Sequence, residues 1–307
     1  MFKPMKLQAV AICIALCLLV PAGVGAGSID GAFTPINAYS AGVGFAGVGT
    51  PTDPSTVYWN PAGLSLIDQM AVQFTLAAPG METPGSWAFL VANSSSGEGS
   101  CFGLALLRHQ AHRDGAEFKS FQVNAPLAYG FKAGRFPVGI TFKFISESVA
   151  GGDWRYGLAF DLGTIAAAPG GFTVALTCFN AAGSGLSSFK SQNWLGFSWG
   201  NPRAPVRFAA QVRVDRLFAS GGSGENFSLG ADLRTGGKVP ALRTGILKRD
   251  GETYLTFGFA YQRKRHRPRL EYTLILDPDG WKSRAHLLTY NYSFRPEASK
   301  PSAGPIW

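Results

Sequence analysis

The sequence predicts an all-β protein, an antiparallel transmembrane barrel of about 14 strands. Three observations carry that expectation: a leader for export, a hydrophobic period of two repeated from residue 70 to residue 294, and a deficit of charge. Charged residues make up 15% of the chain, against roughly 25% in soluble domains, while 39 positions are Gly and 13% are aromatic.

The leader comes first. Lys3 and Lys6 precede an apolar run from Leu7 to Val20, and Val24, Gly25 and Ala26 form a small-residue cleavage site. This is the pattern of a secretory signal peptide over residues 1–26, cut between Ala26 and Gly27. The apolar run falls short of the ~20 residues of a spanning helix, and Leu16 before Cys17 does not suit lipoprotein processing. The leader holds two lysines and no acidic residue, so 26 basic residues against 19 acidic ones leave a mature net charge of +7. No later apolar run reaches the length of a spanning helix, which excludes a polytopic helical protein.

The barrel is expected over residues 70–294. In FPVGITFKFISE, Val138, Ile140, Phe142 and Phe144 share one face, with Gly139, Thr141, Lys143 and Glu147 on the other. Phe208, Ala210 and Val212 alternate with Arg207, Gln211 and Arg213, and Leu229 and Leu233 with Gly230 and Asp232. Only a strand with one apolar face gives this spacing. Tight turns at 132–135, 168–171, 201–205 and 236–240 alternate with longer polar loops at 110–119, 180–192 and 219–225, as an up-and-down path requires.

A stacked pair of sheets would share the period, so the opposite face decides. A solvated sheet carries Lys, Glu and Thr there, whereas this face is mostly Gly, Ala, Ser and Thr, which suits the crowded inside of a closed barrel. Trp87, Trp154, Trp194, Tyr254, Tyr261, Tyr272 and Tyr290 are expected on the apolar face as interfacial girdles. The last strand, HLLTYNYSF (286–294), ends on an aromatic residue and is similar to the C-terminal signal read by barrel-assembly machinery. A Pro-containing tail, residues 295–307, follows it and is expected to be disordered.

Between leader and barrel lies SAGVGFAGVGTPTDPSTVYWNPAGLSLI, residues 40–67. Its GVGFAG satisfies a dinucleotide-loop pattern, but no apolar strand precedes it, and Pro51 and Pro54 forbid a continuous helix after it. A nucleotide loop is therefore excluded. With Asn60, Pro61 and Ala62 preceded by Tyr58 and Trp59 and followed by Gly63 and Leu64, the stretch resembles the N-terminal signature of FadL-type (long-chain fatty-acid transporter) and PorV/PorQ-type outer-membrane barrels. The resemblance implies a 14-stranded barrel whose N-terminal segment, residues 27–69, folds inward as a plug, or hatch, with Trp59, Asn60, Pro61, Ala62 and Gly63 at its gate. The residues agree: glycines let backbone approach a lumen wall, Asp53 or Ser55 can cap a short turn, and the Asn60 side chain can satisfy backbone groups of the plug.

Catalytic chemistry has no foothold in the sequence, and no enzyme, cofactor or metal is expected. His109 and His112, with Asp114 and Glu117, fall in a polar loop and are expected as exposed groups rather than a metal site. His286 falls on the lipid-facing parity, which leaves a serine hydrolase without a base, and no Ser stands in a nucleophile elbow. Cys101 and Cys178 remain after the leader is removed; a disulfide is permitted but not demanded. The basic run QRKRHRPR, 262–269, is expected at a turn facing solvent, anionic lipid or a partner, not nucleic acid. Inward parity puts Lys143, Arg155, Arg207, Arg213, Arg234 and Arg243 against Glu147, Asp161, Asp215, Asp232, Glu271 and Asp277. That balance favours internal ion pairs over a one-signed channel, with Arg207, Arg213 and Arg243 as candidates for a ligand carboxylate.

Two functions stay open. The fatty-acid transporter resemblance implies passage of small hydrophobic molecules across the outer membrane of a Gram-negative-type bacterium, gated by the plug, with both termini in the periplasm. The PorV resemblance implies a barrel that docks secreted proteins or secretion machinery without small-ligand transport. Outer-membrane lipid and the assembly machinery are partners in either case.

Overall fold

The period of two becomes strand almost wherever the sequence predicts it. The computed structural model describes residues 36–294, apart from 51–52, 68–69, 80–85, 94–98, 114–115, 131–135, 150, 169, 187–190, 201–203, 215–225, 235–239, 250, 263–267 and 280–281. The leader, residues 27–35, 51–52 and 68–69 of the expected plug, the expected loop at 219–225, the 295–307 tail, Asp215, most of the basic run and most of the expected tight turns thus lie outside the described residues. The strands are β1 (Met70–Pro79), β2 (Ser86–Asn93), β3 (Gly99–Arg113), β4 (Ala116–Gly130), β5 (Val138–Val149), β6 (Arg155–Ala168) and β7 (Phe172–Ser184). They continue as β8 (Gln192–Trp199), β9 (Val206–Arg213), β10 (Phe227–Leu233), β11 (Ala241–Arg249), β12 (Glu252–Tyr261), β13 (Arg269–Asp277) and β14 (Lys282–Phe294).

Among the described residues these 14 strands form one closed barrel in which each strand is antiparallel to its neighbours in sequence. Closure is made by β1 on β14, from Met70 opposite Phe294 to Pro79 opposite Ala285. It leaves no sheet edge, which a membrane demands because hydrocarbon offers nothing to an unpaired N–H or C=O. No helix among the described residues is long and apolar enough to cross a membrane.

The two faces of the wall differ as the sequence requires. Outside, large apolar side chains stand open, Phe102 at 58% exposure, Leu158 at 55% and Phe142 at 49%. Inside, Thr75, Thr141, Asp161, Thr256, Thr273 and Thr289 are wholly buried. An apolar surface on every side of the barrel would be untenable in water and is what a lipid-facing wall needs. Neighbouring strands pair their outer aromatic rings, with Phe142 and Phe160 edge to face at 5.2 Å and Trp199 stacked on Phe208 at 5.8 Å.

Three expectations are corrected. Trp194 lies opposite Arg213 on the inner face, its indole N–H donating to Gln192 Oε1 at 3.2 Å. Tyr254 is also buried inside, its hydroxyl bonded to Glu252. Both share the parity of the inward-facing residues of their strands, and each polar tip finds its partner inside. Third, the stretch expected as a loop at 110–119 is mostly hairpin: β3 and β4 pair as far as Arg113 opposite Ala116. A ladder can outrun the apolar belt because its hydrogen bonds do not depend on side-chain polarity.

Candidate functional site

Residues 36–67 form two short helices, α1 (Ala38–Gly42) and α2 (Thr56–Trp59), and a 3-10 turn, Pro61–Leu66. Side chains cap the first helix and the turn, whereas Ser55 before α2 makes no such bond and Asp53 Oδ1 accepts from Ser55 N at 2.9 Å. The Asn37 side chain accepts from Ser40 N at 2.8 Å, and the Asn60 side chain accepts from Ala62 N at 3.1 Å. Pro61 at the first position of the turn gives up an N–H that would be unsatisfied anyway. Beyond α1, Gly44 and Phe45 take positive φ values of 67° and 65°, which stops the helix and turns the chain along the wall.

This segment touches the inner face of the ring all the way round. Ile36 O accepts from Gln73 and Thr75 of β1, at 2.8 and 3.0 Å. Ala38 N donates to Thr289 of β14 at 2.8 Å, and Ala38 O accepts from Thr273 of β13 at 2.6 Å. Gly42 O and Gly44 N share Thr256 of β12, and Val48 N donates to Gln211 of β9 at 3.2 Å. Trp59 O accepts from Thr177 of β7 at 3.0 Å, and Asn60 Nδ2 donates to Thr164 O of β6 at 3.2 Å. Only the interior of a closed barrel reaches so many of its strands. Short hydroxyl side chains suit the task, since each bridges strand to segment with no room lost to a longer chain.

Two glycines of the wall show how close the approach is. A Cβ at Gly245 of β11 would lie 2.2 Å from Gly44 N, and one at Gly163 of β6 would lie 2.2 Å from Asn60 Oδ1. Outside Gly230 and Gly245 the wall carries an apolar groove of about 530 Å³, floored by Ala210 and Ala231 and rimmed by Trp199, Phe208, Leu229 and Ile246. A single layer of backbone separates it from Val43 and Gly44 within.

The structure brings Trp59, Asn60, Pro61, Ala62 and Gly63 into one buried corner against β4, β5 and β6. Trp59 packs edge-on to Tyr58 at 5.2 Å and Phe45 at 6.4 Å, and Pro61 and Ala62 lie on Gly139. Asn60 satisfies a backbone group of the segment, its oxygen accepting from Ala62 N, and its amide N–H group also reaches out to wall carbonyls, Thr164 O and Leu176 O.

Arg207, Arg213 and Arg243 all face inward and are buried; Arg207 and Arg243 meet at Asp232 and Tyr39, and Arg213 does not join them. Arg243 pairs with Asp232 at 3.4 Å and Glu271 at 3.2 Å and lies over the Tyr39 ring at 4.6 Å. Arg207 stands 3.9 Å from Asp232 and 5.9 Å from the Tyr39 ring. Arg213 is apart from them, opposite Trp194. At the β5–β6 side, Lys143 pairs with Asp161 at 2.7 Å.

Sequence reasoning missed the tie between Asp53 and Arg269. The Asp53 carboxylate accepts from Asn37 Nδ2 at 3.2 and 3.1 Å and lies 3.6 Å from the Arg269 guanidinium, which also pairs with Glu271. Burial pushes the Asp53 carboxyl above the usual carboxylate range; Arg269 pulls it down, and Glu271 adds to the rise. The available signal was parity, since Arg269 shares a strand face with Glu271 even though it closes the basic run.

No group of His, Cys, Asp and Glu among the described residues could hold a metal ion. His109 Nδ1 lies 3.2 Å from the Ser86 hydroxyl, and His286, on the outer face, lies 2.5 Å from the Tyr272 hydroxyl. Cys101 and Cys178 are buried thiols in separate strands, and Cys178 Sγ lies 3.5 Å from the Ser191 hydroxyl.

No protein-family model and no curated protein matches the chain in sequence. Solved structures do match in fold. The toluene transporter TbuX of Ralstonia pickettii aligns over 86% of this chain and 98% of its own, with a TM-score of 0.63 and 13% identity. The monoaromatic hydrocarbon channel CymD aligns over 89% of this chain and 100% of its own, at 0.61 and 13%. A Pseudomonas aeruginosa FadL homologue aligns over 84% and 98%, at 0.58 and 11%. The chain has the fold of a FadL-type barrel.

Proposed function

We propose that this chain is an outer-membrane barrel that passes small hydrophobic molecules, with residues 36–67 acting as its plug and both termini in the periplasm. The observation that carries the proposal is the filled lumen. The inner segment bonds to β1, β6, β7, β9, β12, β13 and β14 and lies directly on glycines of β5, β8, β10 and β11, so a small molecule cannot cross until some of those contacts part. Two further features support it. The neighbours in fold are named for toluene and monoaromatic hydrocarbons, and the outer wall offers an apolar groove over Gly230 and Gly245, where the inner segment lies directly behind it. An apolar molecule would enter such a barrel by burial alone, with no covalent step. The corner formed by Trp59 to Gly63 is the gate: it is seated on Gly139 and Gly163 and tied to the wall at Thr177, Thr164 and Leu176, and these are the contacts that must part.

One observation favours a docking role instead. At the end of the barrel away from the termini, β3 and β4 are joined by only residues 114–115, too short a connection to capture a ligand. Binding decides between the two. The purified barrel in detergent is expected to bind a labelled long-chain fatty acid or toluene saturably. Absence of any such binding, together with stoichiometric capture of a secreted protein, would replace transport by docking.

A further inference from the structure

Beside the gate lies a set of polar atoms that the folded chain does not use. On the inner face Thr141 of β5 stands opposite Asp161 of β6, and Asn124 of β4 stands opposite Lys143 of β5. Asp161 Oδ1 takes the Lys143 ammonium at 2.7 Å and the Asn180 N–H at 2.8 Å. Asn124 Oδ1 accepts from Gln122 at 2.6 Å. What remains is Asp161 Oδ2, Thr141 Oγ1 and Asn124 Nδ2, all without a hydrogen-bond partner, on three residues that are each 0% exposed.

A buried polar atom left unpaired costs about 1–3 kcal/mol, so three on the successive strands β4, β5 and β6 mark a stretch of the inner wall where polar matter belongs. Their location gives them a use. Gly139 and Gly163, which carry the Pro61–Leu66 turn, are two residues along β5 and β6 from Thr141 and Asp161. Aromatic rings adjoin the same spot: Lys143 lies 5.3 Å from the Phe179 ring, and Tyr58 lies 5.9 Å from Phe179.

We propose that these atoms form a recognition subsite for a neutral hydroxyl group, closed by the turn and opened when the turn lifts. It rests on the transport reading above and names its substrate class: phenol-like aromatics, preferred over the bare hydrocarbons. The chemistry is that of the unused atoms. Asp161 Oδ2 accepts, Asn124 Nδ2 donates, and the Thr141 hydroxyl does either, which matches a group that both donates and accepts. The Lys143 charge is already met by Asp161, so an anionic head would gain no free cation and would face a carboxylate. A hydrocarbon would leave all three atoms unpaired, the situation in which a polar site discriminates most strongly. Tyr58 and Phe179 supply the apolar surface for the ring.

Equilibrium binding of toluene, p-cresol and p-toluate to the purified wild-type barrel tests this, since the three share one ring and differ only in the polar group. The expected result is p-cresol tighter than toluene by at least about ten-fold, the worth of one or two well-placed hydrogen bonds, with p-toluate weakest. Thr141→Val and Asn124→Leu, each confirmed as folded by heat-modifiable migration, are expected to shrink that ratio, p-cresol losing affinity relative to toluene. Toluene binding as well as p-cresol overturns the subsite but leaves transport standing, as does a ratio unchanged in both variants or p-toluate binding best. If none of the three binds but a labelled long-chain fatty acid does, the subsite falls and transport stands; if the fatty acid also fails to bind, both proposals fall.

Discussion

Asn60 shows how one side chain can hold two structures together. Its oxygen caps the turn at Ala62 N, while its N–H group bonds the wall at Thr164 O and Leu176 O, at 3.2 and 3.4 Å. Asn60→Leu removes a cap and the wall bonds at once, about 2–3 kcal/mol by the usual worth of each. Amides of residues 56–66 are then expected to exchange about 100-fold faster, measured by mass spectrometry, with the strand ladder unaffected. Asp53 works by charge. Its pKa is raised in the folded state, so the proton is held more tightly there than in the unfolded chain. The stabilisation from this group is complete below the ordinary value of 3.8 and is lost as pH rises through the raised value. The melting temperature of the detergent-solubilised barrel should therefore fall across that window, and Asp53→Asn should flatten the dependence. A wild-type melting temperature that rises over the same range would contradict the sign.

At the scale of elements, strands and inner segment differ in how far the sequence reveals them. Strands were legible because alternation is local: Phe142 and Phe144 point outward whatever lies elsewhere in the chain. The asparagine and proline that start the turn were legible for the same reason. The partners of the inner segment were not, because nothing near Gly44 names Gly245, 201 positions on, as the surface it rests against. Trp194 and Tyr254 were misplaced because residue type outweighed parity; Trp194 shares its parity with Gly196 and Ser198, which already pointed inward. The 110–119 hairpin was missed because the period of two fades where both faces are polar. The bare glycines also give a test of the gate. Gly163→Val would drive a side chain into Asn60, so the turn must leave its seat or the wall must bend. The expected outcome is ion conductance across a planar bilayer well above that of the wild type, in a variant that still migrates as a folded barrel. Conductance equal to the wild type would show that the turn does not block the lumen.

For the whole molecule, the division of labour between faces does the organising. Closure of β1 on β14 satisfies the backbone, the outer side chains meet the membrane, and the inner ones are short enough to seat a second layer of chain. Low charge, abundant glycine and a filled lumen are three consequences of one design, in which the barrel's contents are its own N-terminal residues. The inner ion pairs fit the same logic, since Lys143 with Asp161 and Arg243 with Asp232 and Glu271 leave little fixed charge to conduct ions. The most direct test uses two tryptophans on opposite sides of the wall. Trp199 stands on the outer face at 43% exposure, and Trp59 lies inside at 6%. In single-tryptophan variants reconstituted into bilayers with brominated acyl chains, fluorescence from Trp199 should be strongly quenched and that from Trp59 spared. Quenching of Trp59 as deep as that of Trp199, or none at Trp199, would contradict a lipid-facing wall built around its own N-terminal segment.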